Sequence, residues 1–269
     1  MELPLVSVLM TSYNRQKYIG EAIESVLASS YTNFELIIVD DCSKDETVKI
    51  ANAYSNRDPR VKVFVNEKNL GDYLNRNRAA ELAKGKYIKY LDSDDLIYYY
   101  ALDVMVNYME RFPEAGFGLS SIPDFKPFPI FISPLEIYRE NFYGFNHFDR
   151  SPGSSIIKLD VFRKLGGFSG RRMIGDYEFW FKIARYHSLV KLPFELYWYR
   201  WSHGEQETSA EYAKEYPILK EQVLEEGLNH SDCPLDIAEI KKIRAILKQH
   251  KRKNGILGVL SKINKIVFK

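Results

Sequence analysis

Three aspartates fall within four residues at Asp92-Ser93-Asp94-Asp95, directly after the apolar run Tyr87–Leu91. Carboxylates this close repel one another, so a folded chain must compensate them. A hard divalent cation does so, because Mg²⁺ or Mn²⁺ prefers carboxylate oxygen and shares its shell with a bound phosphate. The same residues would also suit the first turn of a helix beginning near Leu96, where aspartates cap free N–H groups. Both readings stay open at this point. Asp40-Asp41 follows a second apolar run, FELIIV, and carries the same pair of readings. The aromatic Tyr13, close after a third apolar run, suits stacking on a base. Asp40 or Asp41 suits a hydrogen bond from a ring N–H such as that of uracil.

These clusters must be positioned by the elements that precede them. Leu5 to Met10, Phe34 to Val39, Val61 to Val65 and Tyr87 to Leu91 read as short buried strands. Between them, Ile19, Ala22, Ile23, Val26 and Leu27, then Val48, Ala51 and Tyr54, then Ala79, Ala80, Leu82 and Ala83 recur at helical spacing. Strands alternating with helices predict right-handed βαβ units and a mostly parallel, Rossmann-like sheet flanked by helices. Ligands of such sheets bind beyond the carboxyl ends of the strands, where Thr11–Asn14, Asp40-Asp41 and Asp92–Asp95 would converge. After about residue 115, Pro123, Pro127, Pro129 and Pro134 make long helices unexpected. Ser154–Ile157 and Leu196–Trp201 read as strands. Tyr177, Trp180, Phe181 and Ala184 form the apolar stripe of a helix opened by Asp176, with Gly175 leaving room beside it. Beyond residue 207 the pattern is helical, with Ile237, Ile240, Ile243 and Leu247 on one face.

Composition narrows the function classes. The chain has 269 residues, 45% hydrophobic and 28% charged, which fits a globular α/β protein and excludes general disorder. No apolar run approaches the roughly 18–20 residues of a membrane-spanning helix. Met1-Glu2-Leu3-Pro4 has neither a basic leader nor a small-residue cleavage site, so a cytoplasmic location is expected. Cys42 and Cys233 are the only cysteines, which excludes a disulfide scaffold and a four-cysteine zinc site. Cys42 is expected to have no catalytic role. The turn after the first strand has no glycine, so neither GxGxxG nor GxxxxGK[ST] occurs there, and the glycine-rich loop of a sugar nucleotidyltransferase is missing too.

Six segments in order carry a resemblance: VSVLMTSYN at 6–14, FELIIVDDCSKDET at 34–47, NLGDYLNRNRA at 69–79, GKYIKYLDSDD at 85–95, KLGGF at 164–168 and IGDYEFW at 174–180. Together they resemble the family 2 inverting glycosyltransferases of GT-A fold, over roughly residues 5–205. That resemblance implies a GT-A domain over 1–205, with 1–100 binding the nucleotide sugar and 101–205 the acceptor, followed by a basic helical extension over 206–269. It implies that Thr11 and Tyr13 line the base pocket, with Asp41 reading the base beside Asp40, and that Arg76 approaches the nucleotide. Asp92, Ser93 and Asp94 match the DxD signature, Asp92 for the ribose and Asp94 for Mn²⁺ or Mg²⁺, with Asp95 as a second metal candidate. His203 lies where relatives close a His or Arg over the diphosphate or metal; as a loop residue it could also be exposed and idle. Asp176 matches the family's general base, with Gly175 where many relatives have Glu. The chemistry asks for such parts: a carboxylate takes the proton of the acceptor hydroxyl, and attack opposite the departing diphosphate inverts the anomeric carbon.

From Lys241 to Lys269 there are ten Lys or Arg and no Asp or Glu, leaving the rest of the chain net acidic. Segment 255–268, GILGVLSKINKIVF, mixes apolar and basic residues as an interfacial helix does. Peripheral binding to the anionic inner face of a membrane is therefore expected, and nucleic acid is not. The expected partners are a nucleoside-diphosphate sugar, taken as a UDP-sugar, and a saccharide or lipid-linked acceptor in surface polysaccharide synthesis. The competing class is a non-catalytic nucleotide- or carbohydrate-binding protein on the same fold.

Overall fold

Strands β1 (Val6–Ser12) and β2 (Phe34–Asp40) are buried along their whole length, which requires helices on both faces of the sheet. The computed structural model describes residues 2–121, 128–143, 146–194, 196–200 and 210–248. His203, Trp201 and residues 249–269, with the interfacial segment, lie outside them, as do Pro123 and Pro127. With β3 (Val61–Val65) and β4 (Tyr87–Asp92), the first two strands form a parallel array in the order β3-β2-β1-β4. Helices α1 (Ile19–Leu27), α2 (Thr47–Ser55) and α3 (Asp72–Leu82) make the crossovers. Alternate side chains feed two cores. Leu9, Ile37, Val39, Ile88 and Tyr90 face one way, and Val8, Met10, Leu36, Ile38, Tyr87 and Leu91 the other.

Beyond β4 the sheet departs from the simple alternation. The acidic turn does not open a helix at Leu96. Leu96–Ile97 is a short strand, β5, paired antiparallel with Tyr197–Trp198, and α4 begins only at Ala101 and runs to Arg111. The capping reading of Asp92–Asp95 is thereby removed. Three further strands escape the sequence pattern: β6 (Phe117–Ser120), β7 (Ile130–Ile132) and β9 (Leu189–Leu192). With β8 (Ser155–Lys158) they extend the sheet as β4-β8-β6-β9-β7. β8 runs antiparallel to both β4 and β6, so β6 again points the same way as β4. The strand expected over 196–201 is, among the described residues, only the two-residue β10 (Tyr197–Trp198).

The proline-rich stretch nevertheless holds a helix, α5 (Pro134–Tyr143). Ser133 and Glu136 cap it reciprocally: Glu136 Oε2 accepts from Ser133 N–H at 3.0 Å, and Ser133 Oγ accepts from Glu136 N–H at 3.4 Å. Pro134 occupies the first position, where its missing N–H costs no bond. α6 (Leu159–Lys164) and α7 (Gly175–Ala184) cover the second half of the sheet. α8 (Ala210–Asn229) and α9, helical over 237–248, add Val223, Leu224, Leu228 and Ile243 to the core that contains Trp180 and Phe181. Ile237 does not join the buried face of α9; it is 74% exposed.

Gly85, between α3 and β4, is fixed by a close backbone approach. A Cβ there would lie 2.6 Å from Ser7 N and 2.7 Å from Leu5 O, both main-chain atoms that cannot yield without moving β1. Gly85→Ala should therefore destabilise the fold by about 1–3 kcal/mol, read from the denaturant midpoint; an unchanged midpoint would show that β1 and β4 can separate at that end.

Candidate active site

The carboxyl ends of β1, β2 and β4 lie side by side, because the register pairs Ser12 with Asp40 and Thr11 with Asp92. Asp40 is buried and faces β1: its Oδ2 accepts from Ser12 Oγ at 2.9 Å, and its Oδ1 from Ser43 N–H at 2.7 Å. Asp41 is buried too and organises the 66–71 loop. Its carboxylate accepts from Asn66 Nδ2 at 2.8 Å, Leu70 N–H at 2.8 Å and Gly71 N–H at 2.9 Å. Asn14, at φ 51°, turns the chain after β1 so that its N–H reaches Ser43 Oγ and its side chain accepts from Lys44 N–H, both at 2.8 Å. The two loops are thus stitched together. Thr11 is nearly covered at the edge, and the ring of Tyr13 stands 46% exposed above it.

The acidic turn is compensated from three directions. Arg76 is buried on α3; its Nη2 donates to Asp92 Oδ1 at 2.6 Å and its Nε to Asp72 Oδ1 at 2.8 Å. These two charges raise its already high pKa against the opposing effect of burial. Arg15, on the loop after β1, donates from Nε to Asp94 Oδ2 at 3.0 Å. Arg200 clasps the turn from outside: its N–H donates to Asp95 Oδ1 at 2.9 Å, its Nε to the Asp94 carbonyl at 2.8 Å, and its Nη2 to Glu21 at 2.7 Å. Its guanidinium also lies between the rings of Trp198 and Tyr18, at 4.8 and 5.0 Å. Asp95 is buried, and burial with the neighbouring Asp92 charge pushes its carboxyl far up. Ser93 is enclosed within the turn.

Beneath the turn lies Lys89, fully buried in a strand whose other residues before Asp92 are apolar or aromatic. Its ammonium donates to the carbonyls of Tyr90, at 2.6 Å, and Gly153, and lies 5.2 Å from the Tyr197 ring. Burial drives its pKa down, against the attraction of Asp92 and Asp95. Gly153 belongs to a single 3-10 turn, Pro152–Ser154, and the adjacent Arg150 carbonyl accepts from Trp180 Nε1 at 2.7 Å. Lys89 therefore links the strand that carries Asp92 to a segment tied to α7.

Asp176 sits in the first turn of α7, half-buried, with Oδ1 accepting from Tyr177 N–H at 2.7 Å. Burial pushes its carboxyl up to about 6; the Tyr177 N–H, the Tyr73 hydroxyl and the Arg76 charge oppose the rise, and Asp72 adds to it. The space beside Gly175 is not open: a Cβ there would lie 2.8 Å from the Tyr73 ring. Tyr73 and Arg76 are three residues apart on one face of α3. The Tyr73 ring packs on Gly175, next to Asp176, and Arg76 bonds Asp92, so one turn of α3 lies between the two carboxylate-bearing segments. Sequence reasoning missed Arg15, Tyr73, Lys89 and Arg200. Only Lys89 left a signal, a charge within the run YIKYL.

The donor set suits a hard cation to a limited extent. Asp92 and Asp94 present carboxylate oxygens at the edge with side chains 25% and 12% exposed, whereas Asp95 is turned inward onto the Arg200 amide. Among the described residues no group of three or more His, Cys, Asp or Glu could hold a metal by itself. One or two carboxylates with phosphate and water completing the shell is the ordinary arrangement for Mg²⁺ at a diphosphate. The residues fit that arrangement.

The sequence profile "Glycosyl transferase family 2" matches residues 7–166. An uncharacterized glycosyltransferase of Haemophilus influenzae is 42% identical over 109 residues, 40% of this chain and 44% of that protein. The putative teichuronic acid biosynthesis glycosyltransferase TuaG of Bacillus subtilis is 48% identical over 92 residues, 34% of this chain and 36% of that protein. The match thus spans less than half the length of either relative. Among solved structures, S. aureus TarS 1-349 in complex with UDP-GlcNAc superposes with a TM-score of 0.68 at 23% identity, over 93% of this chain and 74% of that one. The mannosyltransferase PcManGT of Pyrobaculum calidifontis, in complex with GDP-Man and Mn²⁺, gives 0.63 at 17% identity, over 100% and 82%.

A buried carboxyl with a raised pKa favours the folded state most when protonated. Below about pH 4 Asp176 is protonated both folded and unfolded and costs nothing; above about pH 6 it is ionised in both and the full burial cost applies. Asp176→Asn, which keeps an oxygen for the Tyr177 N–H, should gain about 1–3 kcal/mol over the parent as pH rises from 4 to 7. A stability difference that does not vary with pH would place the carboxylate in solvent.

Proposed function

Because the chain belongs to glycosyl transferase family 2 and has the GT-A fold, we propose that it transfers a sugar from a nucleoside-diphosphate donor to an acceptor hydroxyl, with inversion. The observation that supports this reading is that one turn of α3 reaches both segments: the Tyr73 ring packs on Gly175, next to Asp176, and Arg76 bonds Asp92. One carboxyl, poised near pH 6, would face the acceptor; the others would face the diphosphate. UDP is taken as the nucleotide in this reading, and the solved structures of similar fold bound to UDP-GlcNAc and GDP-Man support a nucleotide sugar as donor. TuaG, named for teichuronic acid biosynthesis, supports a surface polysaccharide as the product class.

In this reading the base packs between the exposed Tyr13 ring and the wall that Asp41 holds in place through Leu70 and Gly71. Thr11 and Asp40 line its floor. Arg76 keeps Asp92 and the buried Ser93 set for the ribose. Asp94, assisted by Asp92, would be the principal ligand of a cation, and Arg15 is the charge that pairs with Asp94 in its absence. A bound Mn²⁺ or Mg²⁺ would supply charge neutralisation at the departing diphosphate. Asp95, whose Oδ1 accepts from the Arg200 amide, is assigned in this reading to shaping the turn, with Asp94 preferred for the cation. Asp176 removes the acceptor proton; a positioned base of this kind contributes roughly 10²–10⁴-fold. His203 as a further diphosphate or metal contact, and anchorage of the basic C-terminus on anionic lipid for a lipid-linked acceptor, complete the proposal.

Two variants separate the donor and acceptor sides. Asp94→Ala should abolish transfer and the Mn²⁺-dependent part of UDP binding, measured by calorimetry with and without the metal. Asp176→Asn should lower turnover by about 10²–10⁴-fold with UDP affinity nearly unchanged. Full transfer in the presence of a chelator would contradict the metal assignment, and equal loss of UDP binding in both variants would contradict the division of labour.

A further inference from the structure

After Asp92 the chain turns, with the Asp95 N–H on the Asp92 carbonyl at 3.0 Å, and enters β5. β5 pairs with β10 over two residues only, Leu96 with Trp198 and Ile97 with Tyr197. So short a pairing holds little by itself. Arg200, two residues beyond β10, extends the grip onto the turn. Its N–H donates to Asp95 Oδ1 at 2.9 Å, its Nε to the Asp94 carbonyl at 2.8 Å and its Nη2 to Glu21 Oε2 on α1 at 2.7 Å. The guanidinium is seated between the Trp198 and Tyr18 rings, and the side chain is 18% exposed.

These bonds act on geometry more than on charge. The Asp95 carboxyl takes the Arg200 amide, whereas the guanidinium donates to a main-chain oxygen of the turn and to an acid on another helix. A guanidinium is a planar, rigid fork. With Nε on the Asp94 carbonyl and Nη2 on Glu21, it fixes the plane of the peptide between Asp94 and Asp95 relative to α1. The direction in which Asp94 carries its side chain is fixed with it, and Asp94 Oδ2 meets Arg15 Nε at 3.0 Å. β10 is braced from beneath in turn. The Tyr197 hydroxyl bonds Ser151 Oγ at 3.1 Å, its ring lies 5.2 Å from Lys89 Nζ, and Lys89 bonds the Gly153 carbonyl. The strand that ends in Asp92 and the residue that grips Asp94 are thus joined twice, through the turn and through residues 151–153.

We propose that Arg200 is the positioning residue of the acidic turn: by holding the Asp94 carbonyl against α1 through Glu21, it presets the Asp94 carboxylate for a divalent cation at the diphosphate. The inference rests on the reading of Asp94 as the principal ligand. It assigns Arg200 no contact with substrate or cation; the residue acts through the backbone of the turn. Loss of a partner that orients a metal ligand lowers metal affinity by roughly 10–100-fold. The sign of the effect separates this role from a simple charge. A cation near the turn repels Mn²⁺, so removing it would tighten metal binding if charge alone mattered. Removing a brace weakens it.

The experiment titrates Mn²⁺ into the UDP-saturated full chain, with free Mn²⁺ followed by electron paramagnetic resonance, and measures UDP affinity in a chelator by calorimetry. Arg200→Met keeps the stem between the rings and the N–H on Asp95 but loses Nε and Nη2. Arg200→Lys keeps the charge and loses the donor at the Nε position. Both should weaken Mn²⁺ binding by roughly 10–100-fold, with UDP affinity in the chelator unchanged. Glu21→Ala should weaken it in the same direction, and no further in the Arg200→Met background. Mn²⁺ binding at the parent level in Arg200→Lys, with parental or tighter binding in Arg200→Met, would overturn the assignment. So would a parallel fall in chelator-insensitive UDP affinity, which would make Arg200 a support of the whole edge. Asp94→Ala separates the two readings. If it loses the Mn²⁺-dependent part of UDP binding while both Arg200 variants match the parent, Arg200 fails and the ligand stands. If it retains that part, the ligand reading fails and the role of Arg200 fails with it.

Discussion

The site depends on one buried guanidinium. Arg76 has its charge enclosed in the protein, and an enclosed charge is tolerable only when paired. Its two partners lie on different elements: Asp72 on its own helix and Asp92 at the end of β4. That pairing locks α3 across the carboxyl edge of the sheet, and much else follows from where α3 then lies. Gly71, just before the helix, is caught by Asp41; the Tyr73 ring packs on Gly175 at the start of α7; Tyr90 packs beneath the guanidinium at 5.7 Å. One guanidinium nitrogen, Nη1, is buried without a hydrogen-bond partner, an unsatisfied donor beside a carboxylate edge.

The same electrostatic constraint explains the surroundings of the acidic turn. Three acidic side chains in four residues are held by Arg76 from the helix side, Arg15 from the first loop and the Arg200 amide from the segment after β10. Lys89 adds a buried amine below, its pKa driven down by burial. Lys89 also grips the Gly153 carbonyl and so ties the strand beneath the turn to the 150–154 segment. Truncating Arg76 or Arg15 would leave Asp92 or Asp94 without its cation, so the cluster is expected to respond as a unit and not residue by residue.

The part of this arrangement legible in the sequence is the part written as local pattern. Four apolar runs and three helical stripes define the parallel half of the sheet and put Thr11, Asp40 and Asp92 on one edge, where register does bring them together. The later strands are not legible: β6 and β9 are four residues each and β7 three, too short for a period, and their pairing is non-local. Leu96 reads as helical because aspartates favour helix starts, but pairing of Leu96–Ile97 with Tyr197–Trp198, a hundred residues away, decides that segment. The α5 capping box is obscured by the prolines that dominate the stretch around it. Gly175 suggests open space next to Asp176; in three dimensions that space is the seat of the Tyr73 ring.

The central claim is that one carboxylate, Asp176, takes the acceptor proton while the opposite edge holds the leaving diphosphate, so that the sugar is displaced once. The anomeric configuration of the product tests this most directly. With a donor whose sugar is α-linked to the diphosphate, the initial product observed by proton NMR should be the β-glycoside alone, from the axial or equatorial coupling of its anomeric proton. An α-linked product would require either two displacements or attack from the leaving-group side, and would contradict an Asp176 that works alone across the turn of α3.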